Sequence, residues 1–330
     1  MNAPIVLEHP EHAQRLTVHP SAGCVATSWL VAGHECLALP DALPAFLAST
    51  RTGGIPLLYP YANRLSADRF DAAGRSIDLT RVTDLKRDAH GLPIHGLLLR
   101  WPHWSLERSS QSELRARLRW AEHAELLNAF PFSHSLVVSW RLGADALNAL
   151  LDVEVQVHAD GDCDVPISFG WHPYFAASSP TRSVSGTRVG AGSEAHAGRD
   201  VEALPCIDLP AARQWVLGAD GLPSGEAAAD LSMPRSESVG AGQDALLELP
   251  VGSAGVAATV RCAKWTTEID LRSSWRFLQI YSPRGAAFAA VEPMTAATNA
   301  LVTGAPVARA GSVFAAAFTL KHRRPGARLR

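Results

Sequence analysis

Hydrophobic and polar residues alternate along much of the chain, and this alternation predicts strands. In the clearest case, Leu151, Val153, Val155 and Val157 share one face, while the residues between them are polar. A period of two residues is typical of a half-buried β-strand. Further strands are predicted where β-branched and aromatic residues concentrate. They are residues 135–141, 246–249, 256–260 and 275–281.

Helical periodicity is scarce, and turn residues are frequent, with 25 glycines and 22 prolines. Short strands separated by turns predict an antiparallel β-sandwich. Two stretches rich in small and polar residues, 180–199 and 219–242, are predicted to be long loops. Since alternating strands resume after each stretch, we interpret them as loops of one domain rather than linkers between two.

Composition excludes several classes of protein. The 330 residues are 47% hydrophobic, which is enough to build a large core. A net charge of -2 gives no reason to expect a nucleic acid or an anionic membrane as partner. The sequence shows neither a secretory signal nor an apolar run of about 18 residues. The five cysteines are scattered without a CxxC pair, so we expect neither disulfides nor structural zinc. Together these features predict a cytoplasmic protein.

Four segments concentrate polar groups beside aromatic residues and prolines. They are PLLYPYANRL (residues 56–65), GLPIHGLLLRWPHW (91–104), FGWHPYF (169–175) and AVEPMTAATNAL (290–301). The adjacent Asn63 and Arg64 offer several fixed donors to hydroxyl groups. His172 lies among aromatic residues, which present flat faces to sugar C–H groups and lower the local dielectric. Glu292 ends an apolar run, where a carboxylate is costly unless it is paired or functional.

Each of these residues also has a structural interpretation. Arg64 can tie down a loop, His172 can be a packed core histidine, and Glu292 can form a salt bridge. His95, with His90 and His103 nearby, raises the alternative of a metal cluster, although the spacing matches no recognised ligand pattern.

Taken together, the four segments, in this order and at this spacing, resemble the aldose 1-epimerase (galactose mutarotase) family. The likeness extends from about Leu16 to Leu320 and implies a large single-domain antiparallel β-sandwich, the galactose mutarotase-like supersandwich. We therefore expect an N-terminal extension at 1–15, the sandwich domain at 16–320 and a basic tail at 321–330.

The resemblance also implies roles. His172 matches the family's general acid and Glu292 its general base. They would act on opposite sides of the scissile ring bond and be bridged by the sugar. Six further residues are expected to bind substrate: Asn63, Arg64, His95, Trp171, Tyr174 and Asp244. The reaction needs neither cofactor nor metal, and the expected partner is a small free sugar.

The expected activity is the interconversion of α and β anomers of a free aldohexose by ring opening and closure. Two departures from the family bear on the identity of the sugar: Arg100 follows three leucines after the His95–Gly96 pair, and His158 replaces an asparagine.

Three alternatives stay open. A hexose-6-phosphate mutarotase of the same fold needs extra basic groups, for which Arg69, Arg75, Arg100 and Arg284 are available. A sugar-binding protein would keep the pocket without catalysis. A metal-dependent enzyme would use the three histidines near position 95.

Overall fold

Two large antiparallel β-sheets form most of the protein, whose computed structural model describes residues 3–177, 205–231, 233–262 and 264–323. The stretch 180–199, predicted to be a loop, and the tail from residue 324 lie outside the described residues.

The strands in chain order are β1 (Ile5–His9), β2 (Gln14–His19), β3 (Val25–Val31), β4 (His34–Glu35), β5 (Leu57–Leu58), β6 (Arg69–Ala72), β7 (Arg75–Asp78), β8 (Ser105–Ser109), β9 (Glu113–Arg119), β10 (Ser135–Ala144), β11 (Ala149–His158), β12 (Val165–Pro166), β13 (Gly170–Trp171), β14 (Tyr174–Ala176), β15 (Cys206–Leu209), β16 (Ala212–Leu217), β17 (Pro223–Leu231), β18 (Arg235–Ser238), β19 (Gln243–Glu248), β20 (Gly255–Cys262), β21 (Trp265–Ser273), β22 (Phe277–Ser282), β23 (Phe288–Met294), β24 (Val307–Ala308) and β25 (Val313–Arg323). The helices are α1 (Leu43–Leu47), α2 (Ala124–Ala129) and α3 (Ala300–Thr303).

Within the described residues, one sheet has nine strands in the order β18-β15-β20-β21-β25-β11-β10-β9-β8. The other has the order β17-β16-β19-β22-β23-β13-β5, with β14 paired to β23 off this path. A four-stranded sheet, β1-β2-β3-β4, adds the N-terminal segment. The predicted all-β, antiparallel sandwich is confirmed.

At the centre of the nine-stranded sheet, the alternation of hydrophobic and polar residues in the sequence matches an alternation of buried and half-buried side chains. In β11, the odd-numbered residues from Ala149 to Val157 are buried and the even-numbered ones are half-buried. The strand pairs with β10 on one side and with β25 on the other. Its apolar face therefore faces the second sheet, as the period of two predicts.

Large aromatic side chains fill the space between the two sheets. Trp140 of β10 meets Trp171 of β13 at 5.2 Å between ring centroids, in an edge-to-face arrangement. Trp171 also contacts Phe318 of β25. These rings belong to one continuous core that includes residues from both sheets.

The prediction of a loop at 219–242 is wrong in part, because β17 and β18 lie there. Among the described strands, each is the outermost of its sheet and pairs on one side only. An edge strand needs few large apolar residues, so its sequence resembles that of a loop.

At the N-terminus, β1 lies within the predicted extension and pairs with β2. The domain boundaries stay a prediction. The longest helix in the described part of the chain has six residues, and none there has the length and apolar character to cross a membrane.

Candidate functional site

A pocket of about 160 Å³ opens where the eight-stranded sheet meets the loops around residues 52, 63 and 95. Nearly all of its lining side chains are polar or aromatic: Thr52, Asn63, Arg64, Ile94, His95, His172, Tyr174, Asp244, Gln279, Tyr281 and Glu292.

One wall of the pocket is a row of side chains on a single face of the sheet. Asp244 of β19 is directly opposite Tyr281 of β22, and Gln279 of β22 is opposite Glu292 of β23. Since Gln279 and Tyr281 are two residues apart, all four side chains share one face. The intervening Ile280 is fully buried on the other face.

His172 is held at the break between β13 and β14. Its backbone N–H donates to the carbonyl of Pro56 at 3.1 Å. Gly170, two residues earlier, faces Met294 in β23, and a Cβ there would lie 2.8 Å from the carbonyl oxygen of Pro293. The glycine therefore allows the strand that carries His172 to approach the strand that carries Glu292.

The closest pair in the pocket is His172 Nε2 and Glu292 Oε1, 3.1 Å apart, with side chains 4% and 2% exposed. The ring of Tyr174 stacks on His172 with 4.4 Å between centroids. Its hydroxyl contacts Thr52 Oγ1 at 2.7 Å and His172 Nε2 at 3.2 Å. The two side chains therefore contact each other directly, and their bridging by a sugar stays a prediction.

Burial shifts the two pKa values in opposite directions. It raises the pKa of Glu292 well above its usual range, and nearby Asp244 adds to this while Arg64 opposes it. Burial lowers the pKa of His172, and Lys86 contributes to the lowering. Their mutual contact opposes both shifts, because each partner in its charged form stabilises the charge on the other.

Two turns bring Arg64 and His95 into the lining of the pocket. Asn63 and His95 adopt left-handed backbone conformations, with φ of 56° and 67°. The N–H of His95 donates to the carbonyl of Asn63 at 2.9 Å, and Arg64 and Ile94 form an isolated bridge. Arg64 is fixed through Nε, which donates to Asp88 Oδ2 at 2.6 Å, and through Nη1, which donates to Asn63 Oδ1 at 3.0 Å.

Several buried polar atoms of the lining residues have no hydrogen-bond partner among the described residues: His95 Nδ1, His172 Nδ1, Gln279 Oε1 and Glu292 Oε2. Such atoms are costly in a folded protein unless a ligand or water completes them. Burial lowers the pKa of His95 well below its usual range, and His172, Lys86 and Arg64 add to this. This lowering favours the neutral ring, which can both donate to and accept from a hydroxyl group.

The structure brings together seven of the eight residues predicted for the site: Asn63, Arg64, His95, His172, Tyr174, Asp244 and Glu292. The prediction for Trp171 is wrong, since its side chain is fully buried between the sheets. The period of two explains this, because neighbours in a strand point to opposite faces and His172 faces the pocket.

Sequence reasoning missed Thr52, Gln279 and Tyr281, which line the pocket, and Asp88, which anchors Arg64. Gln279 had a detectable signal, as a polar residue within the apolar strand at 275–281. Asp88 had none, because its pairing with Arg64 depends on the tertiary structure.

The histidines considered for a metal do not converge. His95 lies in the pocket, whereas His103 stacks on His123 at 5.6 Å and packs against Trp101. Arg100 donates to the backbone carbonyls of Phe46 and Arg51. His158 contacts Gln156 on β11.

Solved structures share this fold over nearly the whole chain. The Slr1438 protein of Synechocystis sp. PCC 6803 is 21% identical, with a TM-score of 0.72 over 98% of this chain and 96% of that one. A galactose mutarotase-like protein of Clostridium acetobutylicum is 15% identical, with a TM-score of 0.74 over 94% and 93%. Galactose 1-epimerase of Lactobacillus acidophilus NCFM is 12% identical, with a TM-score of 0.68 over 97% and 94%.

Sequence comparisons point to the same group of proteins. The uncharacterized protein YphB of Escherichia coli K12 is 33% identical over 125 residues, which make up 38% of this chain and 38% of that protein. The family model described as aldose 1-epimerase matches residues 5–209, more than half of the chain. This protein belongs to the aldose 1-epimerase family.

Proposed function

We propose that this protein interconverts the α and β anomers of a free aldohexose, with Glu292 as general base and His172 as general acid. The observation that carries the proposal is the buried contact of 3.1 Å between His172 Nε2 and Glu292 Oε1 on the wall of a polar pocket. Family membership supports the reaction class.

The geometry of the pair suits ring opening because the two reacting oxygens are bonded to the same carbon. Glu292 takes the proton of the C1 hydroxyl while the bond between C1 and the ring oxygen breaks, and the ring oxygen receives a proton from His172. The aldehyde rotates about the C1–C2 bond, and the same transfers in reverse close the ring on the other face. Glu292 and His172, which are adjacent, therefore exchange protons with the C1 hydroxyl oxygen and the ring oxygen, which are bonded to the same carbon. The pair of side chains holds one proton before and after the cycle.

Electrostatics support this exchange of protons. Burial favours the neutral form of both groups, whereas their contact favours the ion pair. Such opposing effects suit a pair in which each group gives and accepts a proton in turn.

The rest of the pocket is proposed to hold the sugar. The pocket of about 160 Å³ is smaller than the roughly 300–1,000 Å³ typical of drug-sized ligands, and its polar lining suits a compact polyol. Arg64 and His95 offer donors in the lining of the pocket, and Asp244 offers acceptors. Because Trp171 is in the core, the ring that stacks on the sugar is proposed to be that of Tyr174 or Tyr281.

A free sugar is favoured over a hexose 6-phosphate because three of the four candidate arginines are engaged elsewhere. Arg69 pairs with Asp78 at 3.3 Å, and Arg75 donates to the carbonyl of Pro131. Arg100 is bound to backbone carbonyls. Comparing the turnover of glucose with that of glucose 6-phosphate separates the two substrates.

Polarimetry of freshly dissolved α-glucose and α-galactose tests the proposal. We expect Glu292→Gln and His172→Gln each to lower kcat by about 10²–10⁴-fold, the usual contribution of one positioned proton transfer. Glu248→Gln is the matched control, because this carboxylate lies on β19 and bonds to Trp215 and Arg276 away from the pocket. Full activity in both site variants, with cooperative unfolding retained, excludes the assignment. Sugar binding by the parent without faster anomer exchange supports the binding-protein alternative instead.

A further inference from the structure

A second cluster of reactive side chains lies outside the pocket, where the four-stranded sheet meets the nine-stranded sheet. It consists of His34, Cys36 and His322, whose candidate ligand atoms all lie within 4.8 Å of one another. Cys36 is fully buried, His322 is 2% exposed, and His34 is half-buried beside the turn at Gly33. We propose that these three residues form a binding site for a Zn²⁺-like transition-metal cation.

The ligand set fits that class of cation. One sulfur and two imidazole nitrogens are typical donors for Zn²⁺, which binds sulfur at about 2.3 Å and nitrogen at about 2.0–2.1 Å. Tetrahedral ligation then places the ligand atoms roughly 3–4 Å apart, so a spacing within 4.8 Å needs only small side-chain rotations. Three protein ligands leave a fourth position for water.

The surroundings already orient the three ligands. Thr267 Oγ1 bonds to His322 Nδ1 at 2.9 Å, so Nε2 is the nitrogen that faces a cation. The rings of His34 and His322 stack with 5.4 Å between centroids and 11° between planes. Trp265 packs against both rings, at 5.3 Å and 5.6 Å. The two imidazoles are therefore held side by side before any cation binds.

Cys36 is held just as firmly. Its N–H donates to the carbonyl of Trp29 at 2.9 Å. The carboxylate of Glu35 accepts from the backbone N–H groups of Trp29 and Leu37, at 2.9 Å and 3.1 Å. Burial and the charge of Glu35 raise the pKa of the Cys36 thiol, so a bound cation must displace its proton to the solvent. The same negative charge attracts the cation.

Such a cation joins parts of the fold that are far apart in sequence. His34 and Cys36 belong to the N-terminal sheet and the segment that follows it, whereas His322 lies on β25 at the centre of the nine-stranded sheet. Ligands at positions 34, 36 and 322 show no metal-binding spacing, so this site cannot be recognised from the sequence alone. We expect the cation to act as a clamp that stabilises the contact between the sheets.

The test uses the purified full chain after removal of metals with a chelator. Titration with Co²⁺ should give one equivalent of binding with a thiolate-to-cobalt charge-transfer band, and Zn²⁺ should displace the cobalt. Zn²⁺ should also raise the Tm, because a ligand that binds only the folded state stabilises it by mass action.

Four variants assign the ligands. His34→Ala should weaken Zn²⁺ binding by more than the roughly 10–100-fold that loss of an outer-shell partner costs, and should remove the rise in Tm. Its control is His12→Ala, in a separate group with His9 and Glu11 near the N-terminus, which should bind like the parent. Cys36→Ser should abolish the charge-transfer band, whereas Cys24→Ser, also at a fully buried cysteine, should retain it.

Because His34 is only half-buried, we expect His34→Ala to fold. The test therefore stays decisive even where Cys36→Ser fails to fold. Absence of Co²⁺ and Zn²⁺ binding in the parent overturns the proposal. So does binding that survives His34→Ala or depends on His12.

Discussion

At the scale of the residue, the site depends on side chains that hold other side chains in place. Gln279 is buried, and its Nε2 donates a hydrogen bond to Asp244 Oδ1. Burial raises the pKa of Asp244, while Arg64 and the hydrogen bond from Gln279 oppose that rise. Gln279 therefore both orients this carboxylate and favours its charged, accepting form.

Replacing Gln279 with leucine should raise KM for the sugar by about 10–100-fold, since a hydrogen bond to a charged group contributes about 1.5–3 kcal/mol. We expect kcat to change less, because the contact between His172 and Glu292 does not involve Gln279. Steady-state polarimetry separates the two constants.

The control is Gln156→Leu, which makes the same change on β11, where Gln156 bonds to Glu154 and His158. An equal rise in KM in the control, or an unchanged KM in Gln279→Leu, contradicts the positioning role.

At the scale of the element, long strands were predictable and the turns that shape the pocket were not. The alternation at 151–157 predicts β11 correctly because both neighbouring strands and the opposite sheet impose the same period. By contrast, the left-handed conformations of Asn63 and His95 depend on isolated bridges between distant segments, such as Tyr59 with Gly96. No local pattern encodes such a bridge.

Gly96 is the tightest point of these turns. Its φ is 73°, and a Cβ there would lie 2.2 Å from the carbonyl oxygen of Tyr59. Gly96→Ala should therefore cost about 2–5 kcal/mol of unfolding free energy, since it adds overpacking of about 1–3 kcal/mol to left-handed strain of about 1–2 kcal/mol. We also expect it to lower kcat/KM by displacing His95.

Gly74 offers a matched control, because its φ is 75° and a Cβ there meets nothing within 4 Å. Gly74→Ala should cost only the strain and leave activity unchanged. Urea unfolding of both variants measures the difference, and equal costs would refute a role for the close approach.

At the scale of the whole molecule, one segment serves two purposes on opposite faces. In FGWHPYF, His172 faces the pocket, while Phe169 and Trp171 fill the space between the sheets. The motif identified the segment and the family, but it did not say which aromatic ring faces the ligand. Which ring is buried depends on the side of β13 against which the nine-stranded sheet packs, and this packing is a property of the tertiary structure.

Substitutions of Trp171 distinguish a role in core packing from a role in sugar binding. Because its ring packs on Trp140 and Phe318 across the sheets, Trp171→Ala should lower the unfolding free energy by about 3–5 kcal/mol. Trp171→Phe should cost less, since it keeps an aromatic ring and removes an indole N–H that is buried without a partner among the described residues. Urea unfolding gives both costs, and the KM for sugar, measured where each variant is folded, should match the parent. A normal unfolding free energy with a raised KM in Trp171→Phe would instead place this ring against the sugar, because a stacking residue contributes to binding and a core residue to folding.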